Sequence, residues 1–331
     1  MAIKTTSSKF LPHLRLAHLS REQRSVMIAY GMIFVLITFG SLAISPQFAS
    51  PNFLLLQLVK ASILGIVVTG QMMVILTGNI DLSVSWTMNL AAVLLTSIVF
   101  GQDDRFWLGA LAALGVGVLV GLLNGLGVAY LRIPSMVLTL GMNALVKGVT
   151  ILYTGAQPKG DAPPLLNFVV HQRLGGSLSL VVVIWTMVAI ASIIVLQRSG
   201  LGRKIYAVGN NEVATYLSGV NTNLVLVSVF VIAGIMNAVA GILLTGYAGR
   251  SYNEMGEPFL LPSIAAVVVG GTSILGGSGL YAGAIAGVII ITLLESILSI
   301  LQVSPAGRSV IFGLVILVML FLYGRGARVR E

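Results

Sequence analysis

Ten apolar stretches, each about long enough to cross a bilayer, occupy most of the chain between Val26 and Tyr323. A helix rises about 1.5 Å per residue, so roughly 20 apolar residues span the hydrocarbon core, where lipid offers no partner for an unpaired backbone group. Charged residues make up only 9% of the 331 residues. The sequence therefore predicts an all-α, multi-pass membrane protein whose function lies in whatever interrupts the apolar runs.

The polar regions of the chain define its domain organisation. We expect residues 1–25 and 324–331 to be cytoplasmic segments on either side of a transmembrane domain at 26–323, which contains a cytoplasmic loop at 198–223. No second, soluble domain is expected. The ten predicted transmembrane helices cover residues 26–44, 53–76, 82–101, 107–130, 134–153, 178–197, 224–247, 259–275, 280–301 and 307–323.

Arginine and lysine are distributed unequally between the two sets of loops. If the N-terminus is cytoplasmic, twelve basic residues fall in inner segments and five in outer loops. Because cytoplasmic loops of membrane proteins carry an excess of Lys and Arg, this asymmetry predicts that both termini are cytoplasmic. The inner residues are Lys4, Lys9, Arg15, Arg21, Arg24, Arg132, Arg198, Arg203, Lys204, Arg325, Arg328 and Arg330, and the outer ones are Arg105, Lys159, Arg173, Arg250 and Arg308.

Several classes of function are excluded by composition. The chain has no cysteine, and its three histidines, His13, His18 and His171, form no ligand cluster, so we expect neither a disulfide nor a metal site. No nucleophile and base stand at a recognisable spacing, so an intramembrane enzyme is not expected. The net charge is +9, but the basic residues are spread between helices, so membrane topology explains them and nucleic acid is not an expected partner.

Two predicted spans begin with an interruption of the apolar pattern. Residues 77–83 (TGNIDLS), the first break, combine glycine with N-cap formers and Asp81, and residues 270–279 (GGTSILGGSG), the second break, combine glycines with hydroxyls. Irregular backbone at membrane depth persists only when it is buried in protein or lines water. One interpretation is that both breaks are turns near the inner face, with Asp81 capping the next helix. The other is that they form a gate or the wall of a translocation path.

Asparagines within the spans extend this candidate path. An asparagine side chain offers both donors and an acceptor, which suits the binding of hydroxyl groups better than a proton relay. Hydrogen bonds between helices are the competing explanation. The candidate residues of the path or gate are Gly78, Asn79, Asp81, Ser83, Asn89, Asn143, Asn237, Gly276 and Gly277.

Glycines at helical spacing predict close contacts between helices. One set lies in the fourth span and another in the ninth, each with a spacing of four residues that permits backbones to approach. We interpret both sets as packing faces rather than as binding sites. They are Gly117, Gly121 and Gly125, and Gly279, Gly283 and Gly287.

Three charged residues lie within spans, each about 5 to 8 residues from the predicted outer end of its helix. They are Lys60, Lys147 and Glu295, and we expect them to share one outward-facing vestibule. The lysines alone are also explained by snorkelling to the interface, but Glu295 is too short to do so. We therefore expect Glu295 to pair with Lys60 or Lys147.

The cytoplasmic loop at 198–223 contains a pattern typical of a short amphipathic helix. Apolar residues recur at i, i+3, i+4 and i+7, either Asn210 or Asn211 is suited to cap the helix start, and Gly219 is suited to end it. Such a helix either lies on lipid headgroups or inserts into the groove of a partner protein. The recurring apolar residues are Val213, Tyr216, Leu217 and Val220.

At the first break the chain resembles a known family. Residues 74–85 (VILTGNIDLSVS) are similar to the I-L-T-G-G-I-D-L-S-V-G hallmark of the ribose-type permeases of ABC importers, which serve monosaccharides and the furanone-type autoinducer signal. Three further stretches resemble the same family, and together the matches cover roughly residues 50–320. They are residues 121–141 (GLLNGLGVAYLRIPSMVLTLG), 202–220 (GRKIYAVGNNEVATYLSGV) and 265–279 (AAVVVGGTSILGGSG).

The resemblance implies an assembly in the bacterial inner membrane. It implies ten helices per permease, a dimer of permeases around one path, a pair of cytoplasmic ATPase subunits and a periplasmic solute-binding protein. The chain has no GxxxxGK[ST] motif, so ATP and Mg belong to the ATPase and no cofactor is expected here. The resemblance assigns a helix that docks in the ATPase to Gly209, Asn210, Asn211, Glu212, Val213, Ala214, Tyr216, Leu217, Ser218 and Gly219.

The sequence also departs from the family hallmark. Asn79 stands where glycine is usual, and Ser85 and Trp86 replace a glycine and a serine. These changes leave open which solute is carried and whether the partner permease is identical or different. Our interpretation is a permease subunit of an ABC importer for a small polar solute, with a sugar favoured. The alternative is an ion-coupled secondary transporter, but Asp81 and Glu295 are predicted near opposite faces and would make a poor proton relay.

Overall fold

The computed structural model describes residues 20–174 and 178–327. Most of the predicted N-terminal segment 1–25, with Lys4, Lys9, Arg15, His13 and His18, lies outside the described residues. So does the end of the predicted tail 324–331, with Arg328 and Arg330. Three further basic residues are described by their backbone alone, namely Arg21, Arg173 and Arg325.

The described residues form thirteen α-helices, one very short hairpin and three short 3-10 helices, at Pro46–Ala49, Asp103–Arg105 and Glu257–Phe259. The hairpin pairs β1 (Arg173–Leu174) with β2 (Leu178–Ser179) in antiparallel fashion. The helices are α1 (Arg21–Ala43), α2 (Pro51–Leu76), α3 (Val84–Val99), α4 (Phe106–Ala129), α5 (Ser135–Thr154), α6 (Pro164–His171), α7 (Leu180–Arg198), α8 (Gly200–Asn210), α9 (Glu212–Leu217), α10 (Thr222–Ala248), α11 (Leu260–Val269), α12 (Tyr281–Ile300) and α13 (Pro305–Ala327).

Seven of the described helices are long and apolar enough to cross a membrane. Three shorter apolar helices accompany them: Val84–Val99, Glu257–Val269 and Pro305–Phe321. The prediction of an all-α membrane protein is thereby confirmed. The predicted eighth span, 259–275, is wrong in extent, because α11 ends at Val269 and the chain turns at Gly271, whose φ is +91°.

The first helix begins earlier than its apolar residues indicate. Ser20 caps α1 by accepting a hydrogen bond from the Gln23 amide (3.2 Å), and the Gln23 side chain accepts one from the Ser20 amide (3.0 Å). This reciprocal arrangement satisfies two amides that would otherwise lack partners at a helix start. It therefore places the start of the helix at Arg21 rather than at the predicted Val26.

The centre of the bundle is occupied by α2. Every residue from Ala61 to Leu76 is buried, which is the pattern of a helix that is enclosed by protein on all sides rather than facing lipid on one. Helices α7, α10, α11 and α12 pack around it. By contrast, only 11% of the apolar window of α1 and 22% of that of α5 is buried. These two helices therefore lie at the periphery of the subunit.

The predicted glycine face of α4 packs against α10. A Cβ on Gly117 would overlap the Gly234 carbonyl, and one on Gly121 would overlap the Phe230 carbonyl. Gly125 lies against Val227 in the same way. The backbones of α4 and α10 approach closely because three successive turns of α4 present glycine to α10.

The glycine face predicted for the ninth span is confirmed for two of its three glycines. Gly283 and Gly287 lie against the carbonyls of Gly270 and Ala266, so α12 packs closely on α11. Gly279 is different, because α12 begins only at Tyr281 and Gly279 has a φ of +151° in the irregular chain before it. It contributes to the second break rather than to the helix face.

We predict that Gly121→Ala weakens the bundle, because the added methyl group meets backbone atoms of α10 that cannot rotate away. Overpacking of this kind costs about 1–3 kcal/mol. The measurement is the thermal unfolding midpoint of the purified protein. The matched control is Gly115→Ala on the same helix, where an added Cβ would meet nothing within 4 Å. Equal midpoints for the two variants would contradict the packing assigned to α4 and α10.

Candidate functional site

The first break runs alongside α5 instead of turning back at its end. The Ile80 amide donates to Ser135 Oγ (3.2 Å) and the Leu82 amide donates to Thr139 Oγ1 (2.9 Å). Ser85 Oγ then donates to Asn143 Oδ1 (3.0 Å). Because helices rise 1.5 Å per residue, the eight residues from 135 to 143 correspond to about 12 Å along α5. Helix α3 therefore starts well inside the bundle.

Asp81 lies at the buried end of this first break. Its side chain is 1% exposed. Its Oδ1 accepts hydrogen bonds from the Ser83 amide (2.8 Å) and from Ser83 Oγ (2.6 Å). On the other side, Asn237 Nδ2 donates to Asp81 Oδ2 (3.4 Å). The carboxylate thus closes an Asx turn on the residue two positions later.

The proposed role of Asp81 as a helix cap is therefore wrong. The residue in the N-cap position of α3 is Ser83, and its side chain makes no capping hydrogen bond. Instead, Ser83 Oγ donates to Asp81 and accepts from Asn124 Nδ2 (2.9 Å). Of the ion pairs formed by described side chains, Arg132 with Glu212 and Lys147 with Glu254, neither involves Asp81. Hydrogen-bond donors alone stabilise this buried acid.

The asparagines predicted to line a path have different surroundings, and only Asn237 and Asn143, with Asn124, lie beside the first break or the start of α3. Asn143 Oδ1 accepts from Ser85 Oγ and from the Trp86 amide (3.3 Å), and Asn89 Oδ1 accepts from the Met255 amide (3.1 Å). Asn124 Oδ1 and Asn237 Oδ1 are buried and make no hydrogen bond within the described structure. These two acceptors lie on the side chains that flank Ser83 and Asp81.

The two breaks contact each other directly. The Gly277 amide donates to the Leu76 carbonyl (2.9 Å), which is the last residue of α2. A Cβ added to Gly276 would lie 2.7 Å from the Gly78 nitrogen, and all three of these glycines have φ values between +75° and +88°. Only glycine adopts such a backbone without strain. We call this contact region, formed by Leu76, Gly78, Gly276 and Gly277, the break junction.

Helix α8 closes over the break junction. Asn210 Nδ2 donates to the Gly277 carbonyl (3.1 Å), and the Tyr206 hydroxyl donates to the Gly279 carbonyl (2.7 Å). A Cβ on Gly209 would overlap the Leu76 carbonyl. The sequence placed Gly209 and Asn210 in the same short helix as Val213 and Leu217, and the structure corrects this helix assignment. Both residues belong to α8 and contact the break junction.

The short helix predicted in the loop is α9. Its N-cap is Asn211 and not Asn210, since the Ala214 amide donates to Asn211 Oδ1 (2.9 Å). The chain leaves the helix at Gly219, whose φ is +84°. Val213, Tyr216 and Leu217 are 70%, 66% and 78% exposed.

Three of the four predicted apolar residues therefore form one exposed patch. Val220 is not part of it, because this residue packs against the main core. Ala214 and Ser218 are also exposed, so the whole outer side of α9 is open. We refer to Val213, Tyr216 and Leu217 as the α9 patch, and to the end of the bundle that carries it as the α8 end.

Glu212 connects α9 to the loop before α5. Arg132 donates through Nη1 to Glu212 Oε1 (2.5 Å) and through Nη2 to Asn223 Oδ1 (3.2 Å). Arg132 has a φ of +55°, a conformation that is uncommon for a residue with a side chain. This contact lies at the same end of the bundle as the break junction, but its side chains remain largely exposed.

A cavity of about 290 Å³ that several charged residues line lies at the opposite end of the bundle. Lys60, Glu295 and Arg308 line it, together with Tyr247 and Tyr252. Arg308 is held in place by donating from Nε to the Val303 carbonyl (3.0 Å). Two cations and one carboxylate therefore face a common space between α2, α10, α12 and the start of α13.

The predicted vestibule of three charges is wrong for Lys147. Its ammonium pairs with Glu254 (3.7 Å) rather than with Glu295, and it lies 5.0 Å from the centre of the Trp86 ring. Trp86 Nε1 in turn donates to Glu257 Oε1 (2.7 Å). Lys60 and Glu295 do share the cavity, as predicted. The expected ion pair is not formed, because the ion pairs among the described side chains are Arg132–Glu212 and Lys147–Glu254.

Sequence reasoning missed several residues of these sites. Arg308 was assigned to an outer loop, and no role was predicted for Glu254, Glu257 or Tyr206. The residue in the sequence that could have indicated this region is Trp86. It is a large side chain at a position where the family hallmark has a serine. Its indole fills the space between α3, α5 and the segment before α11, which brings Glu257 into contact.

Comparison with known proteins identifies the class. A family model described as the permease component of a branched-chain amino acid transport system matches residues 53–320. The ribose import permease protein RbsC of Escherichia coli (strain K12) is 33% identical over 302 residues, which cover 89% of this chain and 91% of that protein. The chain belongs to the ribose-type family of ABC importer permeases. The resemblance found in its sequence is thereby confirmed.

Further relatives of the permease are named for the import of ribose and of autoinducer 2. RbsC of Haemophilus influenzae is 34% identical over 303 residues, covering 90% of the permease and 91% of that protein. The autoinducer 2 import system permease protein LsrC of Salmonella choleraesuis is 34% identical over 285 residues, covering 86% and 81%. No solved structure gives a significant match to the permease.

We predict that Asp81→Ala destabilises the permease by about 1–3 kcal/mol, because it leaves the buried Ser83 amide and hydroxyl without an acceptor. Asp81→Asn is the matched control, since its amide oxygen can still accept from Ser83. The measurement is the thermal unfolding midpoint of each purified variant. If both variants unfold at the same temperature as the parent, the Asx turn does not hold the first break in place.

Proposed function

We propose that this permease carries a small polar solute, with monosaccharides and chemically related signal molecules as the substrate class. Relatives named for ribose and for autoinducer 2 match it at nearly the same identity and coverage. The observation that carries the mechanism is the arrangement at the α8 end. An exposed apolar patch on α9 is continuous with a helix that contacts both breaks of the transmembrane bundle.

The energy for transport comes from a separate ABC ATPase that binds the α9 patch. Three large apolar side chains on one exposed helical turn are the anchors that helix-in-groove recognition uses. Glu212 and the Asn211 cap fix the orientation of the turn. ATP and Mg are bound by the ATPase, so the permease itself is not an enzyme.

The proposed topology places the α8 end in the cytoplasm. The permease crosses the membrane ten times, through α1, α2, α3, α4, α5, α7, α10, α11, α12 and α13. Seven of these helices are the long apolar ones, and α13 adds an eighth crossing, since the whole helix has 23 residues. Helices α3 and α11 are short because the breaks complete the ninth and tenth crossings. The termini then both lie on the cytoplasmic side, in agreement with the excess of Lys and Arg in the inner segments.

A second permease subunit completes the path. The outward face of α5 carries small residues at Gly141, Ala144 and Gly148, and added Cβ atoms on its two glycines would meet nothing within 4 Å. Small residues on a peripheral membrane helix allow another helix to approach closely. A periplasmic solute-binding protein then delivers the solute at the end that carries the Lys60 and Glu295 cavity.

An ion-coupled mechanism is not favoured by the distances within the bundle. Asp81 contacts Asn237, whereas Glu295 shares its cavity with Tyr247, ten residues further along α10. Ten residues of helix correspond to about 15 Å. The two acids are therefore too far apart to exchange a proton directly.

We predict that replacing Val213, Tyr216 and Leu217 together with serine separates the permease from its ATPase, because the apolar anchors of the contact are lost. Copurification of the ATPase and ATP-dependent uptake of radiolabelled ribose into proteoliposomes should both fall. Gln197→Ser, an exposed polar change at the same end, is the control and should alter neither. Full retention of the ATPase by the triple variant would rule out α9 as its docking site.

We predict that a cysteine replacing Glu295 is modified by a membrane-impermeant thiol reagent added from the periplasmic side of intact cells. The chain has no other cysteine, so labelling reports this position alone. A cysteine replacing Ser218 at the α8 end is the control and should react only after the membrane is opened. Labelling of the two positions from the reverse sides would overturn the proposed orientation.

A further inference from the structure

We propose that the cavity lined by Lys60, Glu295 and Arg308 binds the zwitterionic headgroup of a phospholipid, phosphatidylethanolamine, and that the apolar groove beside it holds one acyl chain of that lipid. The inference goes beyond the proposed function, because it concerns a ligand that stays on the permease rather than the solute that is carried. Only the leaflet depends on the proposed topology. With the α8 end in the cytoplasm, the site faces the outer leaflet.

The three charged side chains of the cavity are not paired with one another. The ion pairs that the described side chains form all lie outside it. Glu295 and Arg308 are half-buried, and Lys60 is exposed. Burying charge is costly unless a partner compensates it. The cavity therefore suits a ligand that carries both an anionic group for the two cations and a cationic group for the carboxylate.

The packing of α2 on α12 sets the positions of two of these charges. Ser296 Oγ donates to Gln57 Oε1 in a buried hydrogen bond (2.5 Å). Ser296 is the neighbour of Glu295, and Gln57 lies about one helical turn before Lys60. The acid and the amine are thus held at a similar depth on adjacent helices. Arg308 joins them from the first turn of α13.

An apolar groove of about 530 Å³ adjoins the cavity, between α2, α6, α7 and α10. Lys60 and Tyr247 line both spaces. Leu56, which lines the groove, is 53% exposed, so the groove lies at the surface of the bundle. A charged cavity that leads into an apolar groove matches an amphipathic ligand. The other lining residues of the groove are Phe53, Leu55, Gln57, Val59, Val170, His171, Ser179 and Val182.

Tyrosine marks the boundary between the two spaces. Tyr247 lines both of them, and Tyr252 lines the cavity alone. The ring of His171 lies nearly parallel to that of Tyr247, with 6.0 Å between the centroids. Tyrosine is enriched at membrane–water interfaces, where its ring contacts acyl chains and its hydroxyl contacts headgroups. The boundary therefore has the chemistry of the headgroup level of a bilayer.

The charges favour phosphatidylethanolamine over other headgroups. Lys60 and Arg308 can both bind a phosphate, with which their donors form charge-assisted hydrogen bonds. A primary ammonium carries three donors, which a carboxylate such as that of Glu295 accepts. Choline has no such donor, and phosphatidylglycerol has no cation and leaves Glu295 uncompensated. A neutral sugar would compensate none of the three charges.

A second acid near the cavity already has a partner. A further space of about 310 Å³ extends past Glu295 and Arg308 to Glu257. Glu257 Oε1 accepts from Trp86 Nε1 (2.7 Å). Glu295 is therefore the carboxylate of this region that is suited to bind the ammonium of the headgroup.

The test is native mass spectrometry of the purified full-length permease in detergent, titrated with dioleoyl phosphatidylethanolamine, phosphatidylcholine or phosphatidylglycerol. The measured quantity is the dissociation constant of the first bound lipid, and phosphatidylethanolamine should bind most tightly to the parent. Glu295→Gln should weaken its binding by about 5- to 50-fold, as expected for a hydrogen bond between charged groups that are partly exposed. The same variant should bind phosphatidylglycerol at least as well as the parent does. Lys60→Gln should weaken the binding of all three lipids.

The controls separate this site from general contact with lipid. Asp104→Asn and Lys159→Gln remove exposed charges outside the cavity and should change no affinity. Leu56→Gln in the groove should weaken the binding of phosphatidylethanolamine, whereas Leu111→Gln, also exposed but outside the groove, should not. Glycerophosphoethanolamine, the headgroup without acyl chains, should bind more than about 100-fold more weakly than the lipid, because burial of a few methylene groups has an effect of that size.

Three results would overturn the lipid site. Equal affinity of the parent, Glu295→Gln and Lys60→Gln for phosphatidylethanolamine would mean that lipid only coats the bundle. Binding of glycerophosphoethanolamine as tightly as the lipid would assign the cavity to a soluble zwitterion. Variants that bind lipid normally but lose the periplasmic solute-binding protein would assign its charges to docking. If Glu295→Gln does not fold, Lys60→Gln, at an exposed side chain, decides the matter. Failure of the permease to bind an ATPase would contradict the proposed function and leave these lipid affinities unchanged.

Discussion

The hydrogen bond from the Gly277 amide to the Leu76 carbonyl is the contact on which the α8 end of the permease depends. It joins two stretches of chain that are about 200 residues apart and that have no helix of their own to satisfy their backbone groups. Around it, glycines at 78, 276 and 277 adopt left-handed backbone conformations, and Gly209 admits α8 without a side chain. Any larger residue at these positions would force the two breaks and α8 apart.

Backbone amides of the first break donate hydrogen bonds to side chains of a neighbouring helix. Ser135 and Thr139, one turn apart on α5, accept from its amides, and Asn143 accepts from the residues that start α3. Asp81 closes the turn between them and is stabilised by donors rather than by a cation. The break is thus held in a defined path through the bundle at the point where α3 begins. Discontinuous helices of this kind typically form the substrate sites of secondary transporters, because their unwound backbone has free polar groups at membrane depth.

Local sequence patterns predict most of the helices and one of their contact faces. They do not predict contacts between residues that are far apart in the chain. Apolar periodicity predicts the helices, the glycine spacing of α4 predicts its contact face, and the cap and glycine of the loop predict α9. The early end of α11 at Val269 was missed because the residues that follow remain apolar enough to extend a span. The partner of Lys147 and the orientation of Asn210 were also missed. Each depends on which distant residue the fold brings near, here Glu254 and Gly277, and one sequence contains no signal for that choice.

The most direct test of the break junction is hydrogen exchange at the Gly277 amide, followed by mass spectrometry on peptides that cover the second break. Loops without regular structure ordinarily exchange fast because their amides are bonded to water. The account predicts slow exchange at Gly277, comparable to that of amides within α11 and α12, because its partner is the buried end of α2. Exchange as fast as that of the amide of Lys159, an exposed residue outside regular secondary structure, would show that the two breaks are not joined and would contradict the account.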